Sequence, residues 1–135
     1  MTMRQYARSE TSALLHRLSQ QVRLAGESAE AGSIHDLRVS IRRLSRGLRV
    51  FAQFFPGDSW KKLRAQLRVL MDAAGAVRDL DIAAALLAEG GVPWRSAAMA
   101  RLRGERQERS RAFLAEVRRW KGRRLSRAWP RKLEL

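Results

Sequence analysis

Apolar positions along the 135-residue chain recur every three or four residues and never alternate for long. That is the helical period, in which residues three and four apart share a face. Leu14, Leu15, Leu18 and Val22 fall on one side and predict a first helix from about Arg4 to Ala25. Gly26 and the small polar residues to Gly32 predict a loop. Ser33 followed by Asp36 has the form of a capping box and predicts a second helix from Ile34 to about Phe54. Leu37, Ile41, Leu44, Leu48 and Phe51 make its apolar face. Pro56-Gly57 ends it, and Asp58 or Ser59 can cap a third helix from about Trp60 to Ala74. There Trp60, Leu63, Leu67, Leu70 and Met71 form the core side. Gly75 interrupts the pattern, and a shorter helix from about Asp79 to Ala88 is expected next, its two early aspartates suited to a positive helix start. Gly90-Gly91-Val92-Pro93 reads as a turn, with Pro93 near the first position of a last helix from about Trp94 to Trp120. The expected fold is all-α: an antiparallel bundle of four long helices plus the short helix after the GAVRDLD break. It is one domain over residues 4–120, followed by a basic tail, 121–135, of doubtful order in which Trp129 can anchor on the body.

Charge changes the picture more than composition does. Lys plus Arg number 28 against 13 Asp plus Glu, a formal net charge of +15. Such self-repulsion favours a polyanionic partner, and nucleic acid, anionic membrane and polyphosphate all qualify on charge alone. Arg dominates over Lys, and its planar fork can take phosphate through two hydrogen bonds. A hydrophobic share of 45% excludes a disordered polycation. Without cysteine there is neither a disulfide framework nor a thiolate metal site, and two histidines, His16 and His35, are too few to build a metal site alone. No cofactor is expected. No apolar run approaches a membrane span, and MTMRQYARSE lacks the apolar stretch of a signal peptide, so a cytoplasmic location is expected.

The charge is ordered. With successive helical residues turned by about 100°, Arg38, Arg42, Arg46 and Arg49 all lie within roughly 60° of His35. Between Leu37 and Met71 they are joined by Arg43, Lys61, Lys62, Arg64 and Arg68, and Asp58 is the one acid in that span. Like charges at i, i+4 cost about 0.2–0.5 kcal/mol per pair, so an unrelieved row points to an external anion. A solvated face of a basic protein is the plainer reading of one such row. A second row tips the balance: Lys61, Arg64 and Arg68 share a face of the third helix. Two neighbouring helices with cationic faces would make a groove or flat patch that binds anions.

His35 falls in the first turn of the second helix if Ser33 is the cap, where free N–H groups attract phosphate oxygens. It either adds a hydrogen bond to phosphate or packs against the preceding loop. His16 reads as structural or exposed. The aromatic residues sit mostly at core positions or helix ends, and do not interleave with the basic stripe as base-stacking platforms would. Arg106 and Arg109 lie near the apolar face of the last helix, either paired with an acid or pointing into a binding site. Asp79 and Asp81 read as helix capping. A metal-dependent phosphoanhydride enzyme would need a third ligand that no residue at useful spacing supplies.

Ile34-His35-Asp36-Leu37-Arg38-Val39-Ser40-Ile41-Arg42-Arg43-Leu44 resembles the first motif of the conserved histidine α-helical (CHAD) domain: a histidine, an Arg three residues on, and paired Arg before Leu. Gly75 to Ile82, GAVRDLDI, resembles its second motif. The resemblance is good over about Ala7 to Leu87 and rests on helix pattern beyond. It implies a helical bundle whose basic surface binds inorganic polyphosphate without catalysis, with nucleic acid as the alternative or secondary polyanion, and an association with polyphosphate granules. The motifs carry phosphate contacts to His35, Arg38, Arg42, Arg43, Arg46, Arg49 and Arg78; Lys61, Arg64 and Arg68 follow from the stripe. The usual CHAD domain pairs two similar four-helix halves across a basic cavity. This chain has room for one, so a homodimer is expected to supply the other.

Overall fold

A computed structural model describes residues 1–121 and 124–135, and the class is all-α, with four long helices. Helix α1 spans Met3–Glu27. It begins with a reciprocal cap: the Gln5 N–H donates to Thr2 Oγ1 at 3.1 Å, and the Thr2 N–H to Gln5 Oε1 at 2.8 Å. Leu14, Leu15, Leu18 and Val22 are buried, as the periodicity requires.

Helix α2 spans Ala31–Val50 and begins earlier than Ser33. Glu30 is the cap residue, without a side-chain bond, and its carbonyl already accepts from the Ile34 N–H at 3.0 Å. Ser33 is thus inside the first turn, with no helix end left to cap. His35 lies in the second turn, past the N–H groups that open the helix, which removes the argument for phosphate binding at a helix start. At the other end the helix stops at Val50 rather than Phe54, and Ala52–Phe54 form a 3-10 turn. Phe55 is extended ahead of Pro56, the conformation a following proline favours, and it is buried.

Helix α3 runs unbroken from Ser59 to Glu89. The expected break at Gly75 and the separate short helix do not exist. A helical Gly costs about 1 kcal/mol relative to Ala. Val77 and Ala74 on either side are fully buried, and burying a Val alone returns about 1.5–3 kcal/mol. Asp79 and Asp81 are therefore mid-helix residues, not caps. Helix α4, Ala97–Trp120, is capped by Ser96, whose Oγ accepts from the Met99 N–H at 3.2 Å. Pro93 lies in the preceding turn, not at the first helical position, and its carbonyl accepts from the Ser96 N–H.

Beyond Lys121 the described residues form a π turn, Arg124–Ala128, and a short α5, Trp129–Lys132. Residues 122–123 of the expected tail lie outside the described residues. Leu125, Trp129 and Leu133, spaced at i, i+4 and i+8, are buried in the same core as α1 to α4, so Trp129 does anchor this segment.

Contacts between the ends set the directions. The Tyr6 ring meets Phe51 edge-on at 5.9 Å, which lays the start of α1 beside the end of α2. The two helices approach closely at Gly47, where a Cβ would come within 2.9 Å of Leu14 Cδ1. Helix α3 packs on both α2 and α4, and α4 returns along α1.

Candidate functional site

A groove of about 650 Å³ runs between α2 and α3. From α2 come Arg42, Ser45, Arg46 and Arg49; from α3 come Arg64 and Arg68. Ile41, Leu67 and Met71 form an apolar floor. One acid lines it, Asp72.

None of these arginines has an ion pair or side-chain hydrogen bond among the described residues, where the ion pairs are Lys61–Asp58, Arg106–Asp81 and Arg119–Glu116. The Nε of Arg64 is buried without a partner, as is that of Arg38, which is half-buried on α2 and does not line the groove. A guanidinium cannot shed its proton to escape this, and an unmet buried donor costs about 1–3 kcal/mol. An oxyanion in the groove would relieve the repulsion along both rows.

The remaining candidates are placed differently. His35 is exposed on α2, and Arg43, one residue and about 100° on from Arg42, is exposed away from the lining. Lys61 is exposed, 3.9 Å from Asp58 and 5.6 Å over the Trp60 ring. Arg78 is half-buried on α3, beyond the residues that line the groove. Sequence reasoning missed Ser45 and Asp72. The acid-poor span ends at Met71, one residue short of the carboxylate that faces five arginines.

Arg106 is not free to bind. Its Nε donates to Asp81 Oδ1 at 2.5 Å and its Nη2 to Asp81 Oδ2 at 3.3 Å and to the Ala29 carbonyl at 2.9 Å. It ties α4 to α3 and to the α1–α2 loop, so of the two roles its position allows, it takes the paired one. Arg109 and Asp79 are exposed. Among the described residues no group of three or more His, Asp or Glu is arranged to hold a metal ion, and no helix is long and apolar enough to cross a membrane.

Fold and groove together define an all-α protein that carries a channel walled by unpaired arginines. The family model of the CHAD domain matches residues 5–134, nearly the whole chain and well past the two motifs, and the chain belongs to that family. No curated protein and no solved structure matches it.

Proposed function

We propose that this protein binds inorganic polyphosphate in the α2–α3 groove, in the cytoplasm and without catalysis. The observation that carries the reading is a run of five arginines, none in an ion pair among the described residues, facing one another across one groove with a single carboxylate. CHAD domains are linked to polyphosphate binding, and the chemistry agrees. A linear chain with one charge per phosphate needs arginine forks in a row and no base readout. No aromatic ring lines the groove, so the aromatic stacking platforms common in single-strand nucleic-acid sites are absent from it. The pairing of Asp81 in the second motif with Arg106 supports a structural role for that carboxylate.

A homodimer extends this reading. Arg68, Gly75 and Ile82 follow one another at seven-residue steps on α3, so Ile82 and Leu86 continue the groove-side face past the start of α2. There they are 42% and 62% exposed, beside exposed Asp79, and offer apolar contacts to a second copy whose arginines would face the first groove. Light scattering reads this directly, with a dimer expected and a strict monomer that binds tightly counting against it.

The experiment for the groove is a titration with long-chain polyphosphate at several salt concentrations. Affinity should fall steeply with salt through counterion release. Arg42→Ala with Arg46→Ala should lower the slope of log K against log salt by about 2. An unchanged slope places the site elsewhere.

A further inference from the structure

A second groove, of about 730 Å³, lies between α1 and the segment after α4. His16, Ser19, Gln20 and Arg23 line it from α1, and Lys121 and Arg127 from the other side. No Asp or Glu is among its lining residues, and Arg23, Lys121 and Arg127 are in no ion pair among the described residues. The imidazole Nε2 of His16 lies 3.3 Å from Gln20 Nε2, so two exposed polar groups are already drawn together on one face of α1.

Its position matters as much as its charge. Leu14 marks the side of α1 that meets α2, through the close approach at Gly47. Ser19, Arg23 and His16 stand roughly 140–180° around α1 from Leu14. On α2, the arginines of the first groove stand roughly 100–160° around from Gly47. The α1–α2 hairpin therefore separates the two grooves, which open on opposite sides of the molecule.

We propose that this second groove also binds a run of phosphates, so that one protein chain holds two polyphosphate segments at once and can crosslink long chains. The proposal rests on polyphosphate being the ligand of the first groove. Three cations without a facing acid, with hydroxyl and amide donors between them, are the same chemistry in a different place. Two grooves facing apart cannot share one short segment, but each can take its own. A long chain held by the two sides of successive proteins becomes a network.

The test counts sites. Tripolyphosphate, too short to bridge the grooves, is titrated by calorimetry into the wild type, into Arg23→Ala/Arg127→Ala and into Arg42→Ala/Arg46→Ala. Arg23 and Arg127 are exposed, so an unchanged thermal melt is expected and checks folding. The Arg23→Ala/Arg127→Ala protein should bind one fewer tripolyphosphate per chain while the affinity of the remaining site is unchanged. Mixed with long-chain polyphosphate, it should scatter less light than the wild type. Unchanged stoichiometry in that variant overturns the second site and leaves the first intact. If the wild type binds no polyphosphate of either length, the underlying assignment fails instead.

Discussion

Replacing Arg106 with Met keeps most of the aliphatic stem and removes the guanidinium that joins three parts of the fold. The side chains of Arg106 and Asp81 are 33% and 19% exposed, between a surface pair and a buried one. Surface pairs contribute about 0–1 kcal/mol, and breaking a buried pair costs about 3–5 kcal/mol. The Ala29 carbonyl also loses its donor, worth about 1 kcal/mol by itself. We expect Arg106→Met to destabilise the protein by about 2 kcal/mol, which at this chain size lowers Tm by about 6–10 °C. Asp81→Asn, which keeps the shape and loses the charge, should cost about 1 kcal/mol. Urea denaturation of both variants and the double variant completes a cycle, and the coupling should be about 1–2 kcal/mol. Additivity within about 0.5 kcal/mol would refute the clamp. Metal-dependent phosphate release that Asp81→Asn abolishes without loss of stability would make that carboxylate catalytic and overturn its structural role.

Other expectations follow from the same geometry. Asp72→Asn removes the single carboxylate in the groove and should tighten polyphosphate binding several-fold at low salt, an effect that shrinks as salt screens it; weaker binding would mean that Asp72 orients an arginine instead. Arg46→Ala should weaken binding more than Arg43→Ala, since Arg43 lies off the lining; the reverse order, by the same titration, would put the site on the outer face of α2. Trp129→Ala should cost about 3–5 kcal/mol in urea denaturation, because the indole is 2% exposed; a loss near zero would contradict its place in the core.

The faces of the long helices are legible in the residue order alone. On α2 the apolar residues Leu37, Ile41, Leu44 and Leu48 are all buried, and three of its arginines meet two from α3 across one groove. A rotation of about 100° per residue over several turns suffices for that. The same arithmetic, applied strictly, separates Arg43 from the row, and only its place in the motif includes it. Local signals at helix ends are weaker. Ser33 and Asp36 have the spacing of a capping box, but the helix extends back through Ala31, a strong helix former, and through Gly32 despite its helix cost. Gly75 looks like a break because a penalty is visible in sequence, whereas the packing of Ala74 and Val77 that outweighs it is tertiary. The C-terminal segment carries a signal that its charge obscures: Leu125, Trp129 and Leu133 repeat every fourth residue among basic neighbours. The partner of Arg106 cannot be chosen from sequence, because Asp81 is 25 positions away and meets it only after α3 and α4 fold against each other.

The central claim is that the unpaired arginines of the α2–α3 groove serve a phosphate chain rather than a nucleic acid. Competition between long-chain polyphosphate and duplex DNA for the purified protein, at near-physiological salt and matched phosphate concentration, tests it most directly. The groove chemistry predicts that polyphosphate displaces DNA, and that Arg42→Ala/Arg46→Ala erases this advantage. DNA that holds its place against equal polyphosphate would contradict the assignment.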